Sequence, residues 1–175
     1  MSNIILIGMP ASGKSTLGVM LAKLLGYDFL DTDLLLQRRV GRHLQEVLDA
    51  EGVERFKALE EEALLSVRCE HTVIATGGSA VYSERGMAHL AALGRVVYLS
   101  LPLTEIKARL SDLSSRGVVM GAEETLETLY TARTALYEKY ADIIFDETER
   151  GVARTMAQNA TALYGLLTAN GKETP

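Results

Sequence analysis

The chain predicts an α/β fold of three layers, a parallel sheet with helices on both faces. Short β-rich runs alternate with longer helical patterns, which is how successive βαβ units read. Two of the runs, "NIILI" at 3–7 and "VVYLSL" at 96–101, are almost continuously apolar, as expected of strands covered on both faces. The first run leads through a glycine-rich segment into a helical pattern. The strand candidates are Ile4 to Ile7, Asp28 to Leu30, Thr72 to Ala75, Arg95 to Leu99 and Asp142 to Phe145. Helical periodicity covers Lys14 to Leu25, Leu34 to Val40, Leu44 to Ala50, Val53 to Arg68, Glu84 to Leu93, Thr104 to Leu113, Ala122 to Tyr140 and Gly151 to Leu167. Between two of these helices, "DLSSRGVVMG" at 112–121 breaks the period and carries two glycines. A loop of that length in a compact domain reads as a lid.

A length of 175 residues, 47% of them apolar, fits a single domain with a sizeable core. The net charge of -5 argues against nucleic acid or a membrane surface as the main partner. It also requires that any anion site be a local basic cluster. One cysteine, Cys69, excludes an internal disulfide and suits a reducing cytoplasm. Residues 1–3 lack the basic start of a signal peptide, and no apolar run is long enough to span a bilayer. A cytoplasmic protein is expected, with a monomer as the default state. His43, His71 and His89 show no metal-ligand spacing.

"GMPASGKS" at 8–15 fits G-x-x-x-x-G-K-[ST] at every fixed position, with a strand before it and a helix after it. Gly8 and Gly13 permit turns that point backbone N–H groups inward, and the helix N-terminus adds partial positive charge. Ala11, Ser12 and Thr16 complete the phosphate cradle. Lys14 is placed to reach β- and γ-phosphates, and Ser15 to ligate Mg²⁺. A GTPase is excluded by the lack of any N-K-x-D. "DAEG" at 49–52 matches D-x-x-G but follows the amphipathic "RHLQEVL" rather than an apolar strand. A motor or transporter ATPase calls for an acid after an apolar strand, whereas "TVIAT" ends in "GGS".

"DTD" at 31–33 ends the second strand candidate. In an extended segment Asp31 and Asp33 share one side, at the sheet edge where open α/β folds bind ligands. One carboxylate suits Mg²⁺ through water and the other a substrate hydroxyl; the plain alternative is a turn or helix N-cap. In "RFKALEEEALL", Lys57 and Glu60 stand three apart on one helix face, which reads equally as a solvated charged face. The glycines of "ATGGSAV", Gly77 and Gly78, suggest close approach of backbone to a ligand, or a tight turn. Arg116 in the lid candidate and Arg133 in "TARTALY" read by themselves as surface residues.

Taken in order, "GMPASGKSTLG", "DTD", "EGVERFKALEEEAL", "ATGGSAV", a lid arginine and "ARTALY" resemble the shikimate kinase family, small P-loop kinases of the nucleoside monophosphate kinase type, from about Ile4 to Phe145. The resemblance implies a five-stranded parallel sheet, a substrate-binding helical region at about 34–60 and a mobile lid at about 112–121. It implies transfer of the γ-phosphate of ATP to a hydroxyl of shikimate, in amino-acid biosynthesis. By position, Lys14 would stabilise the developing charge, Ser15 and Asp31 would hold Mg²⁺, and Asp33 would bind the acceptor hydroxyl and take its proton. Gly77 and Gly78 would approach the substrate, Lys57 and Arg133 would hold its carboxylate, and Glu60 would orient them. Arg116 would close over the phosphates, and Arg109 would stack on the adenine. The chain departs from the family where F-R-x-x-E is "FKALE", where a third glycine is Ser79, where R-P-L-L is "RGVV" and where a proline before Leu-Tyr is Ala135. The phosphate machinery is intact and the acceptor side has changed. Other small acceptors, such as homoserine or a sugar acid, therefore stay open, as does a nucleotide-binding regulator without turnover.

Overall fold

In the computed structural model, which describes residues 2–111, 125–149 and 151–169, five parallel strands form one sheet. They are β1 (Asn3–Ile7), β2 (Asp28–Asp31), β3 (Thr72–Ala75), β4 (Gly94–Ser100) and β5 (Ile143–Asp146), in the order β2-β3-β1-β4-β5. Because every pair is parallel, all carboxyl ends lie on one edge. The register sets Asp31 beside Ala75, and Ala75 beside Leu6. The ends of β2, β3 and β1 are therefore neighbours, although their sequences are far apart.

Seven helices surround the sheet among the described residues: α1 (Lys14–Leu25), α2 (Thr32–Val40), α3 (Leu44–Leu65), α4 (Glu84–Leu93), α5 (Leu103–Ser111), α6 (Leu126–Tyr140) and α7 (Met156–Ala169). On one face Leu17 and Leu21 of α1 join Ala160 and Leu163 of α7 against Leu6, Val73 and Val97. On the other, Leu64, Met87, Leu90, Leu129 and Tyr137 from α3, α4 and α6 cover Ile5, Ile74 and Val96. These two apolar layers account for the uninterrupted burial of β1. A third, smaller cluster of Leu36, Val47, Phe56 and Ala63 clamps α2 to α3, outside the sheet and above its carboxyl edge.

Three local expectations are corrected. Asp31 and Asp33 do not share an extended segment: Asp31 ends β2 and caps α2, and Asp33 already lies in the first helical turn. The separation of the helical patterns at 44–50 and 53–68 is met instead by a break at Gly52 (φ 80°, ψ 172°) within α3, whose second segment ends at Leu65. Helix α6 starts at Leu126, where Thr125 caps it. Residues 151–155 do not begin the last helix: Thr148–Glu149 and Val152–Ala153 pair as a small antiparallel ladder, β6 and β7. Gly151, at φ 79°, accounts for the turn. The lid candidate at 112–121 lies outside the described residues, Arg116 with it.

Candidate active site

A cleft of about 610 Å³ opens along the edge formed by β1, β2 and β3. The P-loop supplies Ala11, Gly13, Lys14 and Ser15 to one end, and Asp31, Asp33, Glu60, Gly77, Gly78, Ser79 and Arg133 line the rest. Residues from five segments distant in sequence thus share one space.

The P-loop follows β1 directly. Gly13 holds φ 94° at the N-terminus of α1, a left-handed conformation that leaves the first turn's N–H groups turned toward the loop. Gly8 packs beneath the loop, where an added Cβ would lie 2.9 Å from the Leu99 carbonyl. Ser12 is fully buried and Thr16 points outward from α1, exposed. Lys14 is 8% exposed, and its ammonium donates to the carbonyls of Gly8 and Met9, both at 2.8 Å. Burial pulls its pKa down to about 8, with Asp33 and Glu147 opposing that shift. A buried cation beside the N–H groups of the first turn of α1 is arranged for an anion with several oxygens.

Asp31 has two tasks that its two oxygens divide. Oδ1 accepts from the N–H groups of Asp33 (2.9 Å) and Leu34 (3.3 Å), which caps α2. Oδ2 accepts from Ser15 Oγ at 2.7 Å. A hydroxyl and a carboxylate oxygen side by side at the phosphate end form a hard-oxygen pair. They fit Mg²⁺, which takes few protein ligands and completes its shell with phosphate oxygens and water.

On the opposite wall two acidic side chains converge on Gly77. A Cβ placed there would meet both Glu60 Oε1 and, at 2.7 Å, Asp33 Oδ1. The absence of a side chain at 77 is what lets both oxygens face the cleft. Glu60 is 5% exposed. Its Oε2 accepts from Ser79 Oγ at 2.7 Å, while Oε1 has no hydrogen-bond partner among the described residues. Burial, helped by the Asp33 charge, pushes the Glu60 carboxyl up to about 7 against the Ser79 hydrogen bond and the Arg133 and Lys14 charges. Gly78 is equally constrained: a Cβ there would meet Pro10 Cδ at 2.9 Å and Arg133 Nη1 at 3.2 Å. Its carbonyl accepts from the Tyr137 hydroxyl at 2.7 Å.

Arg133 is 1% exposed, a position that its place in an amphipathic helix did not reveal. Its guanidinium sits 5.3 Å from the centre of the Tyr82 ring, and Nε donates to the Tyr82 hydroxyl at 3.4 Å. Lys57 lies 5.5 Å from the same ring centre. Unlike Arg133 it is outside the cleft lining: its side chain is 39% exposed and its ammonium bonds Glu54 at 3.0 Å. Lys57 and Glu60 therefore do not work on one face; the first turns to solvent and the second into the cleft. Arg109 reaches the P-loop from the β4 side, donating to the carbonyls of Ala11 (3.3 Å) and Ser12 (3.2 Å). Gln37 and His43 also line the cleft and were not anticipated. His43 caps α3 with Glu46 in a capping box, a signal for a helix start rather than for a binding wall.

The shikimate kinase family profile matches residues 10–163. A shikimate kinase of Nitrosomonas europaea is 40% identical over 89% of this chain and 75% of its own length. One from Histophilus somni is 35% identical over 89% of this chain and 90% of its own. The chain belongs to the shikimate kinase family. Among solved structures, the shikimate kinase of Acinetobacter baumannii in complex with shikimate superposes with a TM-score of 0.85 at 28% identity, covering 99% of this chain and 96% of that one. The five-stranded sheet with flanking helices is the P-loop kinase architecture, and the chain is an ATP-dependent small-molecule kinase. No described helix is long and apolar enough to cross a membrane.

Proposed function

We propose that the protein transfers the γ-phosphoryl group of ATP, with Mg²⁺, to a hydroxyl of shikimate. The observation that carries this reading is the single cleft in which the P-loop ammonium and the Asp33 carboxylate both stand. Phosphoryl transfer needs positioning and charge neutralisation more than covalent help from the protein. Lys14 binds the β- and γ-phosphate oxygens and offsets charge that builds on them. Ser15 and Asp31 would hold Mg²⁺, which would offset phosphate charge and so lower the repulsion of an incoming oxygen. Asp33 orients the acceptor hydroxyl and takes its proton as the new O–P bond forms and the bond from the γ-phosphorus to ADP breaks. Gly77 and Gly78 leave the acceptor room, and Arg133 holds its carboxylate. In the same reading Arg116 closes over the phosphates and Arg109 meets the base.

A second reading has a specific observation behind it. Lys57 is tied to Glu54 outside the cleft, whereas Glu60 presents an unpartnered oxygen inside it. One cation fewer beside that carboxyl favours an acceptor that carries an ammonium group beside its hydroxyl and carboxylate, such as homoserine. ADP release measured with shikimate, homoserine, gluconate and nucleoside monophosphates separates the readings. Turnover with shikimate is the expected result. Turnover with homoserine alone sinks the shikimate assignment, and tight ATP binding without any turnover favours a regulator. With shikimate, Lys57→Arg is expected to leave KM unchanged or lower it, because a planar fork binds carboxylate better than an ammonium does. A large rise in KM would count against a carboxylate contact at 57.

A further inference from the structure

The acceptor cleft occupies the β2/β3 side of the P-loop. On the β4/β5 side another acidic residue is enclosed. Glu147 directly follows β5 and is fully buried. Its N–H donates to the Ser100 carbonyl at 3.0 Å, which fixes its backbone at the end of β4. Its Oε2 accepts from Asn159 Nδ2 of α7 at 3.0 Å and faces Arg109 Nη1 at 3.7 Å. That same Nη1 donates to the P-loop carbonyls of Ala11 and Ser12. The guanidinium of Arg109 is thus held at one corner by three oxygens, two from the loop and one from Glu147.

A neutral residue would suffice to join β5 to α7, since that task needs only an acceptor for Asn159. An ionisable carboxyl enclosed in protein carries a desolvation cost that a neutral residue avoids. What the carboxylate adds is direction, because it draws Arg109 back onto the loop rather than leaving it to swing in solvent. The side chain of Arg109 keeps 23% exposure, so part of the group stays open beside the phosphate cradle. A guanidinium plane stacks on aromatic rings. The aromatic group that a nucleoside triphosphate brings to this place is its base.

We propose that Glu147 is a positioning residue which, backed by Asn159, fixes Arg109 at the rim of the P-loop as a platform for the base of the nucleotide. This rests on the reading above that a nucleoside triphosphate fills the P-loop. Calorimetry at pH 8 with two probes, ADP and inorganic tripolyphosphate, tests it, because only ADP has a base. Glu147→Gln is expected to lower the ratio of ADP to tripolyphosphate affinity about fivefold, the size of one exposed stacking contact. The KM of the acceptor should stay put. Gln keeps an acceptor for Asn159, and an unchanged tripolyphosphate affinity together with a parental circular dichroism spectrum shows that the variant is folded. In an Arg109→Ala background, Glu147→Gln should shift the ratio by less than about twofold. A ratio unchanged in the folded Glu147→Gln protein overturns the proposal. So does an equal drop in the Arg109→Ala background, because Glu147 would then not act through Arg109. An Arg109→Ala protein with the parental ratio also overturns it while leaving phosphate binding by the loop intact. Failure of the parental protein to bind either probe would instead remove the kinase reading itself.

Discussion

Asp31 and Asp33 show how one residue of spacing separates two kinds of work. Asp31 caps α2 through Oδ1 and meets Ser15 through Oδ2. Asparagine caps a helix as well as aspartate does, but it is a poorer ligand for a hard dication. Asp31→Asn should therefore keep the thermal midpoint and raise the Mg²⁺ concentration needed for half-maximal rate. Asp33 gives only its backbone N–H to that cap, and its carboxylate stands against Gly77 in the cleft. Asp33→Asn should lower kcat by about 10²–10⁴-fold, the usual worth of a positioned proton acceptor, and leave the KM for ATP within about twofold. Steady-state kinetics and a Mg²⁺ titration of both variants check the division. A swap of the two phenotypes would mean the roles have been assigned to the wrong carboxylates. The dipeptide spacing was legible in the sequence, and the helical start at Thr32 was not. Asp31 satisfies both the functional and the capping pattern, so the sequence alone had no means to separate them.

At the level of elements, α3 is two helical segments in one run. Gly52 breaks it at φ 80°, ψ 172°, a region that is nearly reserved for glycine. The break sits between Val47 and Phe56, which pack in the same small cluster against Leu36. Glu60 follows one turn later and enters the cleft. An added Cβ at Gly52 would meet nothing within 4 Å, so Gly52→Ala probes backbone strain without a clash. It should destabilise the fold by about 1–3 kcal/mol and raise the KM of the acceptor more than that of ATP, because the acceptor wall hangs on this segment. Urea denaturation and kinetics together test it; an unchanged urea midpoint would show that α3 adapts freely. The interruption was readable, since the period lapses at Glu51–Gly52. The β6–β7 ladder was not, because two-residue strands leave no period.

For the whole molecule, the buried charges set the response to pH. Glu60 faces Asp33, Arg133 and Lys14, and Glu147 faces Arg109, Lys14 and Asp146; burial pushes both carboxyls from an ordinary 4.5 up to about 7. Between those values the folded state keeps protons that the unfolded chain has released. Their contribution to stability is fully present below pH 4.5 and is lost as the pH rises through about 7. Lys14, lowered to about 8, acts in the opposite sense but only between about pH 8 and its unfolded value. The urea midpoint should fall from pH 5 to pH 8, each fully titrating group adding up to ~1.4 kcal/mol per pH unit. Glu147→Gln should remove part of that slope. A midpoint that rises across the same interval would show that these carboxyls are ionised throughout.

The sequence by itself determined the phosphate cradle, the alternation of strands with helices, and the acidic and glycine pairs at two strand ends. These are properties of a few consecutive residues: glycines that admit left-handed turns, periods that decide strand from helix, apolar runs that must be covered. Only the tertiary structure decided what each charged side chain faces. The order β2-β3-β1 brings Asp33, Glu60, Ser79 and Arg133 into one cleft. Packing buries Arg133 and Glu147 and turns Lys57 outward to Glu54. A helix presents side chains in all directions with the same local energy, so contacts made across the sheet edge select which one becomes part of the site.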